Sequence, residues 1–105
     1  MQFEIPMLMD FYGQLLTEKN RALLALHYEE DMSFSEIADV EGISRQAVHD
    51  AVRRGVRLLQ GYEGKLGLVQ RFISQKESVE KAVDALSDNQ GDQAKDILLG
   101  LLEQL

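Results

Sequence analysis

The sequence predicts an all-α protein with a long helix near its middle and a helical extension at its C-terminus. Its only proline is at position 6, and strand-type alternation nowhere exceeds a few residues. Apolar residues instead recur at the three- and four-residue spacing of amphipathic helices. With 105 residues and 45% hydrophobic content, the chain is long enough for one small domain with an extension, and its composition is not that of a disordered chain.

The composition excludes several classes of site. The chain has no cysteine, which excludes a disulfide framework, a cysteine nucleophile and a thiolate metal site. Its two histidines, His27 and His49, are too few and too far apart for a usual zinc site. No apolar run approaches the roughly 18–20 residues of a membrane span, and the acidic N-terminus is unlike a signal peptide. We therefore expect a cytoplasmic protein that binds neither a cofactor nor a metal, and no membrane.

Charge is segregated along the chain, whose net charge is −7. Residues 1–42 and 77–105 are both acidic, whereas residues 43–76 carry seven basic side chains against two acidic ones. Only the local field within about 8 Å matters to a polyanion at physiological salt, so the central segment could contact phosphates. The alternative is that its arginines form a solvated helix face.

Capping residues divide the first half of the chain into short helices. Pro6 suits the start of a first helix, and Thr17 suits the N-cap of a second. Ser33 and Glu36 have the spacing of a capping box that opens a third helix, which Gly42 would end. Ser44 can cap the next helix after only one intervening residue, so the turn between the two helices is very short.

The fourth helix begins at Arg45 and carries a heptad pattern of apolar residues that extends to Ile73. Its outer part is too long to be covered by the preceding helices, and it therefore requires the C-terminal helices or a second copy of the chain. Glycines at 61, 64 and 67 leave a break in this helix open, because each costs roughly 1 kcal/mol relative to alanine. The residues predicted to form a homodimer or partner interface are Leu59, Tyr62, Leu66, Val69 and Ile73.

Residues 34–48 have the layout of a helix-turn-helix. Ala38 is a small residue where two helices would touch, Gly42 lies at the turn, and Ile43 and Val48 can anchor the second helix. Polar side chains at the start of that helix would then face outward. The same fold also serves in protein or RNA contacts, so the motif alone does not establish DNA binding.

The outward side chains are of the types that contact nucleic acids. Arginine and glutamine form bidentate contacts to base edges, and a serine with the helix N-terminal amides suits a phosphate. His49 is too isolated from nucleophiles and paired carboxylates to serve as a catalytic base, and we find no active site. The candidate nucleic-acid-binding residues are Ser44, Arg45, Gln46, His49, Arg53, Arg54 and Arg57.

At these residues the chain resembles two related groups of proteins. Residues 16–59 look like the region of bacterial sigma factors that binds the upstream promoter element. Residues 8–73 are more similar to the YlxM family of small bacterial helical proteins, through Asp10-Phe-Tyr, Ala25-Leu-His-Tyr, Ser35-Glu-Ile-Ala and, most specifically, Gly42-Ile-Ser-Arg-Gln-Ala-Val-His-Asp50.

The resemblance implies a sigma-like helix-turn-helix bundle without catalytic activity. It implies a DNA-binding regulator that takes part in, or regulates, the signal recognition particle pathway. The alternative is an accessory factor that binds the particle's GTPase or its RNA. We accordingly expect a nucleic-acid-binding domain at residues 1–62 and a helical extension, for dimerisation or partner binding, at residues 63–105.

Overall fold

The computed structural model describes residues 3–105, in which every regular element is helical. This confirms the all-α prediction. A 3₁₀ turn at Gly13–Leu15 follows the first helix. The α-helices of the described residues are α1 (Ile5–Tyr12), α2 (Glu18–Tyr28), α3 (Phe34–Glu41), α4 (Arg45–Leu66), α5 (Leu68–Ser87) and α6 (Gly91–Glu103).

The chain divides into two compact units, Met1–Gly67 and Leu68–Leu105. The first unit contains α1 to α4, and the second contains α5 and α6. The division of roles between residues 1–62 and 63–105 concerns function and stays a prediction.

The helix boundaries in the first unit follow from the capping residues identified in the sequence. The Thr17 hydroxyl accepts from the backbone N–H of Asn20, at 3.2 Å. Ser33 and Glu36 form a complete capping box, with both hydrogen bonds at 3.1 Å. The Ser44 hydroxyl accepts from the N–H of Ala47 at 3.0 Å. These bonds satisfy amide groups that would otherwise lack partners in the first turns.

The capping box also affects the charge of its glutamate. Hydrogen bonds from Ser33, first from its backbone N–H, lower the pKa of the Glu36 carboxyl below its ordinary value. A hydrogen bond to the charged form favours that form. The contribution of this bond to stability is therefore present at neutral pH, and it is lost as the pH falls through the lowered pKa.

Helix α4 is the central element of the first unit, because α1, α2 and α3 all pack against it. Its buried face presents Val48, Val52 and Leu59 to the core. The other helices contribute their own buried apolar side chains, which are Leu8, Met9, Tyr12, Leu23, Leu24, Ile37 and Ala38.

Helix α4 continues through Gly61 and Gly64 and ends at Leu66. Gly67 then adopts a left-handed conformation with φ = +62°, and its N–H bonds to the carbonyl of Glu63. The heptad pattern in the sequence therefore spans two helices rather than one, with the break at the C-cap glycine.

Gly55 allows α2 to approach α4 closely. A Cβ atom at this position would lie 2.7 Å from Leu24 Cδ1 and 3.2 Å from Leu24 Cγ. The Leu24 side chain is fully buried, so it cannot move out of the way into solvent. At Gly61, in contrast, an added Cβ would have no atom within 4 Å.

We expect Gly55→Ala to be less stable than Gly61→Ala. Overpacking against Leu24 costs about 1–3 kcal/mol, which exceeds or offsets the gain of about 1 kcal/mol in helix propensity. Gly61→Ala gains propensity without a clash and raises the free energy of unfolding. Urea unfolding of both variants measures the difference, and a Gly55→Ala variant as stable as Gly61→Ala would contradict the tight contact.

The second unit is an antiparallel pair formed by α5 and α6, which pack against each other and are joined by a short turn. In this turn Asn89 has a left-handed conformation, with φ = +58°. The core cluster of the pair consists of Ala82, Ala85 and Ala94, with Ile97 packed against it. Larger apolar residues of both helices remain exposed.

Candidate nucleic-acid interface

The turn between α3 and α4 has the geometry that a helix-turn-helix requires. Gly42 adopts a left-handed conformation with φ = +68°, and its N–H bonds to the carbonyl of Ala38. The N–H of Ile43 reaches the same carbonyl at 3.2 Å. Ala38 and Val48 are buried where the two helices meet. The short turn thus fixes α4 against α3 and leaves the first turn of α4 at the surface.

The start of α4 exposes the polar side chains that the sequence pattern places there. Ser44, Arg45 and Gln46 are exposed, and His49 is half-buried. The Ser44 hydroxyl oxygen is already used as the N-cap acceptor. Its O–H group is free to donate to an external acceptor such as a phosphate.

Aromatic rings fix the side of α4 that faces α2 and α3. The ring of Phe34 lies 4.5 Å from that of His27 and 5.6 Å, edge-on, from that of His49. His27 is half-buried, and its Nδ1–H donates to the Met32 carbonyl at 2.9 Å. His49 therefore packs partly against the bundle, and only part of its ring is available to a ligand. The sequence places Phe34 in the helix-turn-helix, but Phe34 is not among the candidate site residues.

The arginines of α4 cover the surface opposite its core face. At about 100° per residue, Arg53 and Arg57 lie on the outward side near Gln46, and Arg54 lies further round the helix. All of these arginines, with Arg45, are exposed, and none forms a salt bridge within residues 3–105. Their guanidinium groups are thus available to anions, although Arg45 and Arg54 lie on opposite sides of Gln46 and face different directions from Arg53 and Arg57.

Asp50 lies within this basic surface, and the sequence analysis did not select it. Its Oδ1 accepts from Gln46 Nε2 at 2.9 Å and lies 3.4 Å from His49 Nδ1. The i to i+4 spacing of Gln46 and Asp50 is the sequence signal that predicts this bond. Gln46 is consequently held in one orientation and must exchange this partner before it can form a bidentate contact with a base.

The residues predicted as a dimer or partner interface differ in exposure. Leu59 and Val69 are fully buried, and Tyr62 and Ile73 are half-buried. Leu66 is the one exposed member, at 53%. The end of α4 at Leu66 also separates Leu59, Tyr62 and Leu66 from the other two. These five side chains therefore do not form one exposed stripe on a single helix.

Two further findings limit the chemistry of the described residues. Residues 3–105 contain no group of three or more histidine or acidic side chains arranged to hold a metal ion. In the same range, no helix combines the length and apolar character needed to cross a bilayer.

Comparison with known proteins agrees with the geometry of the turn. Residues 2–98 match the model of the UPF0122 family, described as "Putative helix-turn-helix protein, YlxM / p13 like". The chain belongs to the UPF0122 family. This confirms the resemblance that the sequence motifs indicate.

Individual members of the family are similar over most of their length. A UPF0122 protein of Clostridium botulinum is 41% identical over 96 residues, which are 91% of this chain and 88% of the relative. One of Symbiobacterium thermophilum is 47% identical over 83 residues, covering 76% of this chain and 78% of the relative. One of Latilactobacillus sakei is 43% identical over 102 residues, covering 92% and 90%.

We expect substitutions at Gly42 to test the left-handed turn. Gly42→Ala forces a β-carbon into this conformation and lowers the free energy of unfolding by about 1–2 kcal/mol. An added Cβ at this site meets no atom within 4 Å, so the cost is conformational rather than steric crowding. Gly42→Asn is the matched control, because asparagine tolerates this conformation better and costs less. Thermal unfolding that ranks asparagine below alanine would contradict the turn geometry.

Proposed function

We propose that this UPF0122 protein is a non-catalytic regulator that binds double-stranded DNA by placing the start of α4 in the major groove. The observation that carries the proposal is the exposed N-terminal half of α4, with arginines that form no internal salt bridges in the described chain. In helix-turn-helix proteins, the second helix contacts base edges through its N-terminal residues. Helix α4 has the same position after its turn.

The proposed contacts fall into two classes. Arg45 and Gln46, in the first turn, would contact base edges. Arg53 and Arg57 lie about two and three turns further along α4, where they would contact phosphates and set the position of the helix. Ser44 and the amide groups of the first turn add a neutral phosphate site. Sequence preference would then depend on the first pair, and general affinity on the second.

The acidic charge of the remaining chain acts against nonspecific binding. Residues 1–42 and 77–105 are both acidic, and the net charge is −7. Repulsion between these regions and the phosphate backbone lowers affinity for any duplex. A protein of this kind depends on base contacts at its preferred sequence to achieve useful affinity.

The alternative function is that of an accessory factor of the signal recognition particle. In that function the arginines of α4 would contact the particle's RNA, and the protein would associate with its GTPase without sequence-specific DNA binding. The resemblance to the YlxM family implies this pathway. Titration of labelled signal recognition particle RNA beside duplex DNA distinguishes the alternatives, because RNA binding without duplex binding would contradict DNA regulation.

We expect Arg53→Ala and Arg57→Ala to weaken DNA binding to a similar extent on all sequences. Each lost phosphate contact reduces the slope of log K against log salt by about 0.9. Fluorescence anisotropy at two salt concentrations, using duplexes selected from a random pool, measures this change. Lys81→Ala is the charge-matched control, because Lys81 is exposed on α5. This variant should retain the full slope of log K against log salt. Unchanged binding in both arginine variants would contradict the proposed phosphate contacts.

We expect Arg45→Ala and Gln46→Ala to change sequence preference instead. Loss of a bidentate base contact costs about 1–3 kcal/mol on the preferred duplex and much less on a scrambled one. Asp50→Asn should have the opposite effect on affinity. It removes a negative charge from the surface and should strengthen binding to both duplexes. Equal losses on preferred and scrambled duplexes for Arg45→Ala and Gln46→Ala would exclude base contacts by these residues.

A further inference from the structure

One side of the α5–α6 pair presents an exposed apolar surface, which we call the hairpin face. It consists of Val79, Val83 and Leu86 on α5 and of Leu98 and Leu102 on α6. The spacing of these residues places each set on one side of its helix. Leu86, Leu98 and Leu102 also line a single shallow groove between the helices, so the two sets lie on the same side of the pair.

The internal core of the pair is small in comparison with this face. It contains three alanine side chains with Ile97 packed against them. An alanine contributes a single methyl group, worth about 0.8 kcal/mol when buried, whereas a leucine contributes about 1.5–3 kcal/mol. The larger apolar side chains of α5 and α6 thus lie where they contribute little to their own pair. This arrangement is typical of half of a four-helix bundle.

We propose that the hairpin face binds the hairpin face of a second copy of this chain, forming a four-helix bundle. In a closed dimer the same surface is used twice, so the face must be complementary to itself. Stacking the two pairs face to face covers ten large apolar side chains, five from each copy. The inference is independent of nucleic-acid binding and goes beyond it.

The charges beside the hairpin face support a second copy as the occupant. Because α5 and α6 are antiparallel, two residues that are equally far in sequence from Ala85 on α5 and from Ala94 on α6 lie at the same height along the pair. Lys76 and Glu103 are level in this sense. On the same count Glu80 lies about one turn of helix from the level of Lys95. Both lysines are exposed, and neither forms a salt bridge within residues 3–105.

A two-fold axis parallel to the helices brings these charges together between the copies. Rotation about this axis places α5 of one copy over α6 of the other and leaves every residue at the same height along the helices. Lys76 of each copy then faces Glu103 of the other, and Lys95 lies about one helical turn from Glu80 of the other. Each opposite-charge pair occurs twice, whereas a shift of the two copies along the axis would lose this match.

Sedimentation velocity of the full chain, from low to high micromolar concentration, tests the proposal. We expect a dimer for the unmodified protein and a roughly 100-fold weaker dimer for Leu102→Glu, because the variant would bury an unpaired carboxylate in each copy. Leu102 is 63% exposed within one chain, so the substitution is compatible with folding of the monomer. Circular dichroism checks that helix content is retained.

Two further leucine variants act as controls. Leu15→Glu alters a leucine of similar exposure, 56%, in the first unit and should leave the dimer intact. Leu66→Glu alters the exposed member of the interface predicted from the heptad pattern and should also leave it intact. A monomeric unmodified protein at high micromolar concentration would overturn the proposal. So would dissociation by Leu66→Glu with Leu102→Glu unaffected.

A charge exchange tests the stacking of α5 on α6. Lys76→Glu and Glu103→Lys should each weaken the dimer several-fold, because each places like charges opposite one another in both copies. The double variant should restore most of the affinity, since the opposite charges are only exchanged. Additive weakening in the double variant would overturn this stacking.

Discussion

The close contact between Leu24 and Gly55 is the constraint on which the first unit depends. It brings the backbone of α4 near to α2, and it places Val52 and Leu59 of α4 in the core on either side of the contact. Every other helix of the unit packs against α4. The rotation of α4 about its own axis therefore decides which of its residues face water. With the core face fixed, the arginine face is fixed on the opposite side. The proposed DNA-binding surface is thus a direct result of core packing.

Electrostatic and steric constraints in α4 act on different sides of the same helix. The core side tolerates only apolar residues and one glycine, while the outward side combines basic residues with Asp50. Asp50 holds Gln46 and lies near His49 in the free protein. A base that binds Gln46 must compete with this intramolecular bond.

The local signals in the sequence were sufficient for the first half of the fold. Thr17, Ser33 and Ser44 act through neighbours a few residues away, so their capping roles can be recognised without tertiary information. Gly42 is predictable for the same reason, because the turn itself requires its conformation. The identity of the outward side chains of α4 follows from helical periodicity once its start is known.

Other features depend on contacts between distant residues and could not be deduced in this way. In the sequence Gly55 only weakens a helix, whereas in the structure it makes room for Leu24. The heptad pattern runs past Gly67 without interruption, but the chain changes helix there. Periodicity also cannot tell whether an apolar stripe is covered, as the buried Leu59 and exposed Leu66 illustrate. The roles of the predicted site residues themselves depend on a ligand and stay predictions.

The contacts of Tyr12 have a consequence for the dynamics of α4. The last two turns of this helix contain Gly61 and Gly64, which make them intrinsically less stable than the turns before them. Tyr12 holds this segment through a 2.5 Å hydrogen bond from its hydroxyl to Glu63 and through the ring of Tyr62, 6.0 Å away. The segment's resistance to local opening, and hence the amide exchange rates of its backbone, therefore depends on α1. The N-terminal helix acts as a clamp on the far end of α4, remote from the turn that orients its beginning.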